Sequence, residues 1–300
     1  MRMPRRVPLP ETLKLRPFTV VEGRDAGLTR KRMTGNDLDR PFHGVRIASQ
    51  APLSLLELCS AYQQRAPAHA FFSGPTAAVI LAMPVPPRLS APLPLHIAVP
   101  APHRAPSGKR IIGHALTISA ESIIEVGGLR LSSPARTWCD LGSLLELADL
   151  VAAGDHLIHW RSPLLSKQEL ERAVADYPGR RGRPRLGQAL DLLSDRAESP
   201  QESRLRVLLL LGGIDGLAVN HPVITSGGYR YRMDLAIPER KVAIEYQGDY
   251  HREVDQYRRD MTRVSRLEAD GWYVVLVNAN DLHDPAELLS RLRQVLSRRK

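Results

Sequence analysis

Residues 231–251 read YRMDLAIPERKVAIEYQGDYH. Two short apolar-rich runs flank Ile237-Pro238-Glu239-Arg240, a turn signal, so the stretch is predicted to form two β-strands joined by a tight turn. Side chains alternate faces along a strand. In the first strand Met233, Leu235 and Ile237 are expected to share one face, with Asp234 on the other. In the second, Val242, Ile244 and Tyr246 share a face, and Glu245 and Gln247 take the opposite one. Paired as a hairpin, the strands bring Asp234, Glu245 and Gln247 to one spot. Two carboxylates and a polar third group on rigid strands make a hard-oxygen site suited to Mg²⁺. A buried, unpaired carboxylate is costly, so a buried site of this kind calls for a cation.

The flanking sequence supplies the rest of a layered unit. Ser199-Pro200-Gln201-Glu202 has the form of a capping box with Pro at the first helical position, and it opens a helix burying Leu205, Leu208 and Leu209. A strand over 219–224 precedes the hairpin. A helix over 254–269 follows it, with Val254, Tyr257, Met261, Val264 and Leu267 on the buried face and Arg258, Arg259, Asp260, Arg263 and Arg266 flanking them. A strand over 272–277 and a helix over 285–297 end the chain. The expected order is α-β-β-β-α-β around a mixed sheet.

An Asp on one strand, a Glu two residues before a third polar group on the next, and Gly248 and His251 after it resemble the site of the restriction-endonuclease-like nuclease superfamily. The branch most similar is that of the Vsr-type mismatch nucleases, and the run from Arg258 to Trp272, RRDMTRVSRLEADGW, carries the same resemblance. Where the superfamily usually has Lys, this chain has Gln247. The resemblance implies a metal-dependent endonuclease in which Asp234, Glu245 and the main chain of Gln247 hold Mg²⁺ or Mn²⁺. It further implies His251 as general acid/base and Glu202 as a contribution from the opening helix; capping alone would also account for Glu202. Arg258 and Arg259 would stabilise phosphate charge or simply solvate their helix.

The chain has 300 residues, long enough for two domains. Its 43% hydrophobic and 25% charged content is ordinary for a globular protein. No apolar run reaches the length of a membrane span, and the basic start lacks the apolar core of a signal peptide, so a cytoplasmic protein without membrane contact is expected. Cys59 and Cys139 give neither a disulfide framework nor a zinc ligand set. Net charge is +10. Residues 1–195 carry 25 Lys+Arg against 17 Asp+Glu, and residues 196–300 carry 17 against 15. A basic front and near-neutral back fit a protein that meets nucleic acid partly through its front; an Arg-rich genome would give the same excess.

In the front part, residues 1–16 read as a flexible, Pro- and Arg-rich terminus. Residues 17–195 read as an α+β domain, and 196–300 as the nuclease-like α/β domain. Within 17–47, a helix ending at Gly27, a second capped by Thr29 and carrying Arg30, Lys31 and Arg32, and a strand over 44–47 follow the order of a degenerate winged helix-turn-helix. A small helical lead-in with a solvated basic face fits the same residues. A helix over 53–65 has Leu55, Leu56, Cys59 and Tyr62 at helical spacing. The 17–47 segment, and the run from Ser133 through Pro134, Trp138 and Asp140 to Asp155, resemble AbiEi-type antitoxins of type IV toxin–antitoxin systems. Arg136, Asp140 and Asp155 are read there as structural. Arg181, Arg183 and Arg185 sit in GRRGRPRL (179–186). This is either an AT-hook, whose extended arginines enter a narrow minor groove, or a general phosphate contact ahead of a helix over 186–193. The residues leave two functions open. One is a DNA endonuclease with a front module that binds DNA or a partner protein. The other is a non-catalytic DNA-binding regulator or antitoxin with a cognate toxin.

Overall fold

Apolar alternation and the Pro-containing turn close the predicted hairpin. In the computed structural model, which describes residues 7–48, 51–248 and 254–299, Pro238–Arg240 forms a 3₁₀ turn and Lys241 takes φ 49°. Contacts divide the chain into Met1–Asp140 and Leu141–Lys300. The boundary expected at 195/196 thus lies inside the second unit.

The first unit begins with α1 (Glu11–Lys14), β1 (Phe18–Thr19), α2 (Val20–Asp25), β2 (Leu38–Asp39) and β3 (Val45–Ala48). Thr19 and Glu22 form a reciprocal capping box, which starts α2 where Thr19 stands. Strands β1, β3 and β2 make a small antiparallel sheet over Phe18, Met33 and Leu38. Leu9 and Leu13 join that core, so the terminus read as flexible is packed from Leu9 onward. The helix expected to carry Arg30, Lys31 and Arg32 is only a 3₁₀ turn, Arg32–Thr34. The reason is Arg32: its guanidinium is buried and bridges Asp37 and the Val7 carbonyl, which curls the chain at Gly35.

The rest of this unit comprises α3 (Leu55–Gln63), β4 (Phe71–Phe72), α4 (Gly74–Ile80), α5 (Pro87–Ser90), β5 (Leu95–Pro100), β6 (Ile111–Leu116), β7 (Ile123–Val126) and β8 (Leu129–Ser132). Their sheet has the order β6-β5-β4-β8-β7, parallel at β5/β6 and β4/β8. Its core gathers Phe72, Leu95, Ile97 and Leu131 with Leu58 and Tyr62 of α3. Leu56, expected inside, is 58% exposed. Helix α6 (Pro134–Leu141) runs into the division between the units.

The second unit opens with α7 (Leu147–Leu157), α8 (Lys167–Asp176), α9 (Arg183–Leu192) and α10 (Pro200–Leu211). Then come β9 (Ala218–Ile224), β10 (Arg230–Ile237), β11 (Val242–Tyr246), α11 (Val254–Ala269), β12 (Tyr273–Val277), α12 (Ala279–His283) and α13 (Pro285–Arg298). The sheet order is β12-β11-β10-β9; β11 and β12 are parallel and the other pairs antiparallel. This is a mixed α/β unit, in the predicted element order. Pro222 lies on the edge strand β9, where a residue without an N–H is tolerated.

One face of the sheet, Leu235, Ile237, Val242, Ile244, Val275 and Val277, packs on Leu205, Leu209, Leu288 and Leu292. The other carries Met233, Ala236 and Ala243 beneath Leu267 and Trp272. Met233 therefore departs from the face it is expected to share with Leu235. The strict alternation resets around Asp234, where pairing of β10 with β11 stops at Leu235 opposite Ile244. Met261, expected inside, is 54% exposed, and Leu267 is the fully buried residue of α11's described side chains. Helices α7 and α10 are tied by a buried cluster. Asp155 accepts from Arg206 Nη2 and Ser203 Oγ at 2.7 Å each, and from the Ser194 amide at 2.7 Å. This clasp joins 141–195 to the sheet that follows.

Candidate active site

The site lies where β10 and β11 part. Past the Leu235–Ile244 pair, Asp234 turns its carboxylate to an amide of the neighbouring strand, and the Tyr246 N–H donates to Asp234 Oδ2 at 3.0 Å. Glu245, one residue earlier on β11, is buried and meets α11: Arg263 Nη2 donates to Glu245 Oε1 at 2.5 Å. The same guanidinium donates to the Arg232 carbonyl at 2.8 Å and lies over the Tyr231 ring, 5.7 Å from its centroid. Arg263 precedes Leu267 by one helical turn, so anchoring Leu267 in the core presents Arg263 to the sheet.

Glu202 enters from the first turn of α10, buried to 8% exposure. Ser199 Oγ accepts from the Glu202 amide at 3.1 Å, as the cap predicts. The reciprocal bond departs from the expected box: Glu202 Oε2 accepts from the Glu198 amide at 2.9 Å, one residue before the cap. The Glu202 carboxylate lies within the field of Asp234. Glu198 itself pairs with Arg232 and, at 3.3 Å, with Arg161.

Burial dominates the electrostatics. It pushes the Glu245 carboxyl up to about 7, against the pull of Arg263 and with added repulsion from Asp234 and Asp260. Asp234 is raised first by burial, with the Tyr246 amide and Arg263 opposing. Glu202 is raised by burial, and Asp234 adds to it. Three carboxyl groups that each hold protons too strongly, linked through the charge of Asp234, describe a site short of positive charge.

Gln247 continues the ladder: its amide donates to the Val277 carbonyl at 2.6 Å, fixing the main chain beside Glu245. His251 lies outside the described residues. Among the described residues no group of three or more His, Cys, Asp or Glu side chains could by itself hold a metal ion. The donors for a hard cation are therefore the two strand carboxylates and main-chain oxygen. Their chemistry fits Mg²⁺ or Mn²⁺, and Arg263 engages only one oxygen of Glu245 in the described bonds.

The remaining predicted contacts divide clearly. Arg30 and Lys31 are exposed, whereas Arg32 is buried in its pair with Asp37 and is turned away from any external ligand. Arg183 and Arg185 fall inside α9, and Arg183 binds the Tyr177 and Ala175 carbonyls while Arg185 binds that of Leu145. The extended conformation of an AT-hook is therefore absent from 183–185, because Gly182 starts the helix at φ 79°. Arg181 is exposed just before it, and Arg258 and Arg259 are exposed on α11. Arg136 and Asp140 pair at 2.9 Å, in keeping with a structural reading. Sequence reasoning missed Arg263, Arg232 and Glu198 as site residues. The spacing of Arg263 to Leu267 was a usable signal; nothing local marked Glu198.

No family model matches the chain. Two uncharacterized proteins of Mycobacterium tuberculosis, MT2308 from strain CDC 1551 / Oshkosh and Rv2248 from strain ATCC 25618 / H37Rv, are each 30% identical to it over 175 residues. The match covers 58% of this chain and 64% of the length of those relatives. Among solved structures, the RV2827C protein of Mycobacterium tuberculosis is similar over 64% of this chain and 75% of its own, at 18% identity and a TM-score of 0.39. No helix among the described residues is long and apolar enough to cross a membrane.

Proposed function

We propose that this chain is a metal-dependent DNA endonuclease built on a restriction-endonuclease-like core, with a front unit that binds DNA. The observation that carries the reading is the pair of strand carboxyls Asp234 and Glu245, with buried Glu202 of the opening helix in the field of Asp234 and all three held above their ordinary pKa. Evolved cores rarely retain desolvated like charges without a task for them.

Asp234 and Glu245, with the main-chain carbonyl of Gln247, would hold Mg²⁺ or Mn²⁺. When bound, the ion supplies Lewis acidity at the phosphate and lowers the pKa of a water. Glu245 must lose its proton to serve, so the competent form gains population as pH rises through about 7. Arg263 offers a planar fork of donors to a phosphate once it yields Glu245. The Tyr246 amide holds Asp234 in place throughout. In the resemblance His251 exchanges the proton.

A second reading draws on the Arg263–Glu245 bond: an arginine already occupies part of the cation's place, and Gln247 stands where a lysine is usual. On that reading the chain is a DNA-binding regulator or antitoxin without catalysis. The test is incubation of purified protein with supercoiled plasmid, single-stranded DNA and RNA in Mg²⁺, Mn²⁺ or EDTA, beside Asp234→Ala and Glu245→Ala. Metal-dependent nicking lost in both variants supports the endonuclease. Salt-sensitive DNA retention without cleavage in any metal supports the regulator.

A further inference from the structure

The first unit contains an open cleft of about 970 Å³ whose lining includes Arg24, Arg30, Arg40, Arg46, Arg65 and Lys109. Arg110 lines it as well, and no carboxylate does. The residues come from three separate places: the end of α2 and the turn after it, the approach to β3 with the end of α3, and the turn before β6. Several arginines elsewhere in the chain are answered by acids, as in Arg32–Asp37, Arg136–Asp140, Arg204–Asp149 and Arg206–Asp155. Among the described residues, none of these cleft cations takes part in an ion pair.

Concentrating cations without counter-charge is unfavourable for the isolated chain. Arg46 registers it: burial, and then the charge of Arg40, make its guanidinium easier to deprotonate than an ordinary arginine. The frame is nonetheless fixed. Arg46 donates to the Met33 and Val45 carbonyls at 2.7 and 2.8 Å, and Arg40 to that of Thr34 at 2.6 Å. Arg110 is held at φ 69°, a left-handed conformation that costs an L side chain energy, while its carbonyl accepts from the Leu95 amide at 3.0 Å. Ser107 adds a hydroxyl to the lining, while that of Thr34 donates to the Lys31 carbonyl at 2.9 Å. A concave, cationic surface with part of its frame held in place is complementary to closely spaced phosphates.

We infer that this cleft is a docking site for the phosphodiester backbone of duplex DNA, read by charge and not by base sequence. The lining bears on the form of the ligand. Its one aromatic ring of the Phe/Tyr/Trp class, Phe42, is 5% exposed and leaves His43 as the exposed ring, so the cleft has no row of large aromatic faces on which successive unpaired bases stack. The choice of DNA rests on the proposed function; the recognition of phosphate does not. The cleft shares no residue with the carboxylate site of the second unit and works without metal.

The test uses the full chain carrying Asp234→Ala, in EDTA, so that binding is measured without cleavage. A short fluorescein-labelled duplex is titrated by anisotropy at several salt concentrations. Arg65→Gln/Lys109→Gln is compared with Arg88→Gln/Arg104→Gln, which removes the same charge from this unit outside the cleft. The cleft pair is expected to bind about tenfold more weakly and to reduce the salt slope by about two, with the outside pair unchanged. Equal losses in both pairs would mean net charge alone and would overturn the inference, as would no loss in either. Tighter binding of the single-stranded probe, or displacement of the duplex by micromolar ATP, would overturn the assignment to a duplex backbone. Metal-dependent cleavage by the unsubstituted chain is scored separately, so the endonuclease reading can fail while the cleft stands, and the reverse.

Discussion

Arg263 on α11 and Glu245 on β11 meet at 2.5 Å across the face of the sheet, and Arg263 also bonds the Arg232 carbonyl at 2.8 Å. One guanidinium thus bears on both the charge of the buried carboxyl and the position of the strand end beside it. The pair sets the pH behaviour of the site.

Glu245 titrates at about 7 in the folded chain, above the ordinary 4.5. Protonation therefore favours the folded state. The stabilisation is full below about pH 4.5 and is lost as pH rises through about 7. In EDTA the melting temperature is expected to fall over that window. Glu245→Gln is expected to remove that part of the fall, and Mg²⁺ to restore stability selectively on the alkaline side of it. A melting curve of Glu245→Gln that falls as steeply as the parent's would refute the assignment.

Replacing Arg263 with Gln removes the main pull that lowers Glu245. The carboxyl should then hold its proton to higher pH. The midpoint of the pH–cleavage profile, or of Mg²⁺-induced stabilisation where no cleavage occurs, is expected to move alkaline of about 7. An acid shift would contradict the role given to Arg263.

Arg32 and Lys31 are neighbours with opposite expectations. Arg32 loses a buried, charge-assisted fork to Asp37 on substitution, so Arg32→Ala should cost about 1–3 kcal/mol in urea unfolding. Lys31→Ala, on the surface, should stay within about 0.5 kcal/mol.

Asp155 and Arg206 form a pair with side chains 2% and 6% exposed. Removing one partner strands a charge in the interior, and Arg206→Met alone should cost about 3–5 kcal/mol. Asp155→Leu with Arg206→Met should recover much of that loss. A double variant as unstable as the single would show that Ser194 and Ser203 depend on Asp155 more than Arg206 does.

Much of the second unit was legible because its signals are local. The Pro turn, the cap at Ser199 and the helical stripe ending at Leu267 each specify a conformation within a few residues, and α11 spans Val254–Ala269 as read. What escaped depends on distant residues. Met233 changes face because its strand loses a neighbour at Asp234. Arg32 is drawn inward by Asp37 and Val7, which no helical or strand period announces. The run GRRGRPRL becomes the start of α9 because Leu186 and Ala189 find a core. The carboxylates Asp234 and Glu245 were visible as a pattern; the arginine that governs them was visible only as one of several on a helix.

The Asp155 clasp also bears on how such chains can be shuffled in evolution. A crossover near 195/196 would look harmless on a diagram of helices and strands, yet it would part Arg206 from the acid on α7 that answers it. The inheritable piece of this protein is therefore the stretch from Leu141 onward, helices and sheet together. Lineages that trade the sheet alone would have to replace that arginine first.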